Sequence, residues 1–370
     1  MSALISLVSK GVQDAYLTGD PQVSFFRQSY KRFTNFSLKP ERIDYIGTFG
    51  ANNEVSIPIK SKGDLLSYVW VEAPQIGSTK ANAAGFYASG VEPTEFTLMI
   101  GGQQICRLDS LYIQAVHNAL YNENQAQASM AITGNKVSTN TQDSTGNSGH
   151  YLIPFFFSQD WTKCLPIGAL QYHEVEIRIK CRSGFTPAAT PKVYAMYVYL
   201  DTDERKFITD REHELLITQT QFQPGNSTDT EFDLTYFNHP CKALHLVSGK
   251  HDDDTTAWNG VYTFGESTLY INGTPLFEGV SAEFCHTVVP RMHAQNIPEG
   301  SLLYTPTFSW PFSLNFGKSQ PTGSLNFSRL DTAKLNIRNP TGGNTLHRVY
   351  AVNYNILRIK NGMAGVAFSN

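Results

Sequence analysis

The sequence predicts an all-β protein made of two tandem antiparallel sandwiches with one or two short helices. Three observations lead there. The chain has 370 residues, enough for two domains that each bury a core. Its 23 Phe and 18 Tyr, set among Val, Ile and Thr and cut into short stretches by 28 Gly and 18 Pro, favour strands over helices. Finally, one pattern of residues occurs twice in the same order.

In chain order, Val55, Ile57 and Ile59 alternate with polar neighbours, as a half-buried strand requires. The same period recurs from Tyr172 through Val175, Ile177 and Ile179, and again at Leu335 and Ile337. Tyr151 to Phe157 and Tyr194 to Leu200 are almost continuously apolar, which suits strands covered on both faces. Leu108, Leu111, Tyr112, Ala115 and Ala119 have the spacing of a helix, Leu108 to Tyr121, with one face on a sheet. A weaker counterpart lies around Val280 to Val288. Clusters of Gly, Pro, Asn and Asp bound most segments, giving about sixteen short strands in two sets, not alternating strands and helices. At Leu200-Asp-Thr-Asp-Glu-Arg-Lys206 apolar strand gives way to charge. The expected division is therefore an arm over 1–20, a first domain over 21–206 and a second over 207–370. Residues 141–149 and 249–260, the latter with Asp252-Asp253-Asp254, read as polar surface loops.

The repeat is collinear. Glu54-Val-Ser-Ile57 matches Glu231-Phe-Asp-Leu234, and Leu98-Met-Ile100-Gly-Gly102-Gln-Gln-Ile105 matches Leu269-Tyr-Ile271-Asn-Gly273-Thr-Pro-Leu276. Pro166-Ile-Gly168-Ala-Leu170-Gln-Tyr172 matches Pro321-Thr-Gly323-Ser-Leu325-Asn-Phe327, and Val193-Tyr194-Ala195-Met196 matches Val349-Tyr350-Ala351-Val352. The separation between copies shrinks along the chain. Two homologous domains produce that trend when the first has longer loops, and 77–93 and 123–149 are the expected insertions.

Composition and motifs argue against most chemistry. Charged residues are 16% and the net charge is -3, so the basic surface needed for general nucleic-acid binding is missing, and no direct nucleic-acid partner is expected. Cys106, Cys164, Cys181, Cys241 and Cys285 have no CxxC-type spacing and read as buried, reduced thiols. The apolar stretch Ala3 to Val8 is too short to span a membrane, and neither a cleavable signal nor a transmembrane helix is expected. The four Asn-x-Ser/Thr matches, at Asn35, Asn226, Asn272 and Asn326, do not argue for secretion. His173 beside Glu174 and Glu176 resembles an acid-base group, but strand alternation is expected to place the two glutamates opposite the histidine. His213, between Glu212 and Glu214, reads as part of an exposed linker. Gly101-Gly102 lacks the rest of a phosphate-binding loop, and Asp252 to Asp254 read as an acidic loop tip in preference to a calcium site. No catalytic, cofactor-binding or metal residue is assigned, no cofactor is expected, and the chain is not expected to be an enzyme.

Near the N-terminus stands Gly11-Val-Gln-Asp14-Ala-Tyr16-Leu-Thr-Gly19-Asp-Pro21-Gln-Val-Ser-Phe25-Phe26, followed by Tyr30-Lys-Arg32-Phe-Thr-Asn35-Phe36. Further on come Leu170-Gln-Tyr172-His-Glu174-Val with Leu200-Asp-Thr-Asp-Glu204-Arg205, and Phe237-Asn-His239-Pro240. Tyr350-Ala-Val-Asn-Tyr354-Asn-Ile-Leu357-Arg358-Ile with Gly362-Met363-Ala-Gly365 completes the set. Spread over the whole chain, these stretches resemble the major capsid proteins of nucleocytoplasmic large DNA viruses such as phycodnaviruses and iridoviruses. The resemblance implies a double jelly roll of two eight-stranded units, three copies of which form a pseudo-hexagonal capsomer tiling an icosahedral shell. It implies a virion protein assembled in the host cell, in the cytoplasm, with itself as principal partner. The chain is short for that family, with no long insertion between Gly279 and Gly300.

Residues 2–18 read as a short amphipathic piece, and Arg27, Lys31 and Arg32 as a positive cluster. This arm is expected on the inner side of the shell, touching minor capsid proteins or an internal membrane. The alternative assigns Phe25, Phe26, Phe33 and Phe36 to the core of the first strand. Two other functions stand beside the main one: a minor capsid paralogue, and a carbohydrate-binding jelly-roll protein.

Overall fold

A computed structural model describes residues 6–72, 93–121, 150–183, 185, 190–249, 262–294, 307–342 and 346–369. The expected insertions fall almost wholly outside these residues, as do the polar loops at 141–149 and around Asp252 to Asp254. The chain forms two compact units, Met1–Asn35 and Phe36–Asn370. The smaller one holds a helical turn, Ala15–Thr18, and its Phe25 and Phe26 side chains are exposed.

The larger unit opens with eight strands: β1 (Phe36–Ile43), β2 (Glu54–Ile59), β3 (Leu65–Glu72), β4 (Glu95–Ile100), β5 (Gln103–Asp109), β6 (His150–Ile153), β7 (Val175–Lys180) and β8 (Lys192–Leu200). After the helix Thr202–Asp210 come β9 (His213–Gly225), β10 (Glu231–Asp233), β11 (Pro240–Gly249), β12 (Glu266–Ile271), β13 (Thr274–Ser281) and β14 (Thr307–Pro311). The short β15 (Leu325–Asn326), β16 (Ala333–Arg338), β17 (Leu346–Lys360) and β18 (Met363–Val366) complete the chain.

Every pairing between these strands is antiparallel, and the strand order is the same in both halves. The first half has sheets β1-β8-β3-β6 and β2-β7-β4-β5. In the second, β9-β17-β11-β14 and β10-β16-β12-β13 repeat them strand for strand, with β15 and β18 as additions. Each half is an eight-stranded jelly roll, so the fold is a double jelly roll. The matched segments occupy equivalent strands: β2 with β10, the β4–β5 hairpin with the β12–β13 hairpin, and β8 with β17.

Period-two patterning builds these sheets. Val55, Ile57 and Ile59 point into the first core while Ser56 and Pro58 stay half-buried, and full burial of each such side chain contributes about 1.5–3 kcal/mol. Leu335 and Ile337 do the same for the second core. Both matched hairpins turn on two residues with positive φ: Gly101 (57°) and Gly102 (80°), then Asn272 (49°) and Gly273 (77°). Such a turn follows the right-handed twist of its strands, and Gly and Asn adopt it at least cost.

Three expectations need correcting. The run Tyr151 to Phe157 is a strand only as far as Ile153; Pro154 follows, and Phe156–Ser158 is a 3₁₀ turn whose buried rings fill the core from a loop. The first helix starts at Ser110, not Leu108, as an α turn, Ser110–Tyr112, running into a π-helical stretch, Ile113–Tyr121. It is buried on both faces, including His117 and Asn118, because it lies between the two rolls. The counterpart helix likewise starts later than expected, at Ala282, and runs on through Phe284–Val288 and Val289–His293, because β13 continues through Ser281.

Candidate functional site at the joint between the rolls

The side chains with the most unusual environments gather where the first roll meets the outer face of the sheet β9-β17-β11-β14. Asp109 ends β5, and its carboxylate accepts the backbone N–H of Tyr112 at 2.7 Å, capping the helix. The same carboxylate accepts from Arg348 Nη1 at 2.7 Å and from the Tyr350 hydroxyl at 2.8 Å, both on β17. Asp109 is 3% exposed and Arg348 only 11%, so the pair is removed from water. The Arg348 guanidinium also lies over the Phe222 ring, 4.2 Å from its centroid. Burial, and then the neighbouring carboxylate, raise the Tyr350 hydroxyl pKa well above its usual value, so it remains a donor.

A second cluster sits further along the helix. The Tyr121 hydroxyl lies 2.7 Å from His245 Nε2 on β11, while His245 Nδ1 is 2.8 Å from the Ser309 hydroxyl on β14. Lys242 Nζ rests over the rings of Tyr121 and Tyr354, 4.6 and 5.6 Å from their centroids. Burial, and then the nearby Lys163, lower the Lys242 pKa to about 7. Burial also lowers His245 to about 3 and His117 to about 4, so both imidazoles are neutral near pH 7. Lys163 Nζ donates to the Ser319 carbonyl at 3.1 Å, and the Ser319 hydroxyl donates to Asp160 at 3.0 Å, again from roll to roll. Gln219 and Thr220 of β9 donate to the carbonyls of Ile105 and Arg107, so the joint also takes up backbone groups along β5.

The residues singled out in the sequence lie elsewhere. His173 precedes β7, so strand alternation does not reach it; with Tyr172, Glu174 and Glu176 it lines an open cleft of about 510 Å³. Its Nδ1 meets the backbone of Ala364 at 3.0 to 3.1 Å, tying β18 to the first roll. Glu176 is engaged by Arg178 and by the Ser56 hydroxyl, and Arg178 holds its pKa below the usual carboxylate range. His213 is not in a linker: it opens β9, with Nε2 2.7 Å from the Ile208 carbonyl. Among the described residues no three or more His, Cys, Asp or Glu converge as a metal site, and all five cysteines are free and buried.

The chain therefore concentrates its buried polar chemistry on holding two rolls together. Comparison with known proteins agrees with that architecture. Residues 24–201 match the family described as "Major capsid protein N-terminus", and residues 204–365 match "Large eukaryotic DNA virus major capsid protein". The chain belongs to this major capsid protein family. The major capsid protein of Pyramimonas orientalis virus is 31% identical, with 99% of each chain covered, and that of Paramecium bursaria Chlorella virus 1 is 30% identical over the same shares. Among solved structures, a chain of the quasi-atomic model of the PBCV-1 virus capsid superposes with a TM-score of 0.75, at 24% identity, covering 94% of this chain and 100% of that one. The family's members are structural proteins of the virion, and this chain is a capsid protein, not an enzyme.

Sequence reasoning passed over Asp109, Arg348, Lys242 and His245 as functional residues. A local signal existed for each: a charged or imidazole side chain inside an apolar strand or at a strand-to-helix junction.

Proposed function

We propose that three copies of this chain form a pseudo-hexagonal capsomer, and that such capsomers tile an icosahedral shell. The repeated strand order carries this reading. One chain presents two rolls of one topology joined by a buried interface, so three chains in closed rotation supply six similar lobes. Jelly rolls also pair most of their backbone groups within their sheets, which limits uncontrolled edge-to-edge association. In this reading 21–206 and 207–370 are the two lobes and 1–20 is an arm on the inner side of the shell. The arm's exposed Leu7, Tyr16 and Leu17, with Arg27, Lys31 and Arg32 just beyond it, suit contact with minor capsid proteins or an internal membrane. Five buried free thiols suit assembly in the host cytoplasm. Native mass measurement of the purified protein tests the central part: the mass of three chains is expected, and a monomer across the accessible concentration range refutes it. Normal shells from a chain lacking residues 2–20 would remove the role of the arm.

A further inference from the structure

Resting on the trimer reading, we infer that the helix Phe284–His293 of one copy docks on the outer face of the sheet β1-β8-β3-β6 of a second copy. Duplicated positions have opposite exposure in the two rolls.

Asp109 caps the first-roll helix by accepting the N–H of Tyr112, and the Ser281 hydroxyl accepts the N–H of Phe284 at the same spacing. These caps fix the register between the helices: Tyr112, Val116 and Leu120 correspond to Phe284, Val288 and Met292. The first three, under the second roll, are 3%, 0% and 1% exposed; their counterparts are 37%, 45% and 66% exposed. An apolar stripe with the spacing of a packed helix face has no partner within its own described chain.

The receiving face shows the same asymmetry. In the second roll, Phe222, Tyr350, His245 and Ser309 form one row across β9, β17, β11 and β14, and all but the half-buried Phe222 are fully buried by the first roll. The corresponding row across β1, β8, β3 and β6 is Arg42, Tyr194, Trp70 and Leu152. Arg42 is exposed and the other three are only half-buried, with Trp70 and Tyr194 stacked at 5.4 Å. Among the described residues each chain thus carries one covered joint and the two uncovered halves of a second. A donor face and a receiving face that differ make a heterologous contact, which closes after three copies when the joint within a chain and the joint between chains each turn by one sixth of a full turn. Tyr112 lies 5.4 Å from Tyr350, ring to ring, so Phe284 of one copy is expected against Tyr194 of the next.

The two joints differ in chemistry. Arg348 and Tyr350 correspond to Lys192 and Tyr194, but the Asp109 counterpart is the neutral Ser281, so the contact between copies lacks the buried carboxylate. Apolar area is left to hold it, and molar salt should leave the trimer intact.

Sedimentation velocity on Val288→Glu, Tyr194→Glu and their mixture tests this, with Tyr236→Glu, at an exposed aromatic elsewhere, as control. Each of the first two variants is expected to lose the trimer while keeping the parent's far-ultraviolet spectrum, and Tyr236→Glu to keep the trimer. Mixing the two defective variants should give a one-to-one dimer that cannot close, because each supplies the face the other lacks. A parent that is itself monomeric overturns the trimer reading. A trimeric parent whose Val288→Glu and Val288→Asp variants both stay trimeric overturns only the assigned surface, as does a mixture that stays monomeric.

Discussion

Replacing Asp109 with Ser is the most informative perturbation of the joint within the chain. Serine still caps a helix, as Ser281 does in the second roll, so the substitution removes charge without removing the cap. It leaves Arg348 without its carboxylate in a site where the arginine is 11% exposed, and takes the acceptor from the Tyr350 hydroxyl. Breaking one side of a buried ion pair costs about 3–5 kcal/mol. At about 2 °C per kcal/mol for a large chain, the melting temperature should fall by about 6–10 °C. Adding Arg348→Met removes the orphaned charge while keeping volume against Phe222, so the double variant should recover most of the loss. Differential scanning calorimetry of the parent, both single variants and the double variant measures this directly. A melting temperature for Asp109→Ser within about 1 °C of the parent, or a double variant less stable than Asp109→Ser, refutes the claim that this ion pair locks the rolls.

Three further outcomes follow from the same geometry. Burial lowers His117, His245 and His347 to about 4, 3 and 4, so their stabilising contribution is complete above about pH 6.5 and lost as pH falls toward those values; urea midpoints should drop between pH 6.5 and 5, and a flat profile contradicts it. Lys242 has its pKa lowered from 10.5 to about 7, so its cost to the fold is full below about pH 7 and fades as pH rises toward 10.5; Lys242→Met should raise the melting temperature most near pH 7 and less near pH 9, and an equal gain at both contradicts it. A Cβ on Gly101 would stand 2.5 Å from the His173 ring whereas one on Gly102 meets nothing, so Gly101→Ala should speed hydrogen exchange at the Ala364 amide and Gly102→Ala should cost only about 1 kcal/mol of backbone strain; equal exchange in both variants defeats this.

The fold was legible because period-two alternation and turn residues are local signals, and because the repeat placed them twice. Glu54 to Ile57 and Glu231 to Leu234, or Leu98 to Ile105 and Leu269 to Leu276, could be aligned without knowing what they pack against. The joint was much harder to read. Its partners lie far apart in sequence, as Asp109 and Arg348 do, and no periodicity links them. The spacing of Leu108, Leu111, Tyr112, Ala115 and Ala119 shows one apolar helix face, yet the polar His117 and Asn118 are buried as well. His173 was misplaced for a related reason: its environment is set by Ala364 at the other end of the chain, not by the strand that follows it. Local pattern reports which face enters a roll's own core, and it is silent about the face covered by another roll.

The central claim is that one chain supplies two equivalent lobes and three chains close a ring. Electron-microscopic class averages of the purified particle, reconstructed with threefold symmetry alone, test it most directly. Six lobes of similar density are expected, superposing after one sixth of a turn with differences confined to the loops. Three lobes, or six that fail to superpose in their sheets, would contradict it.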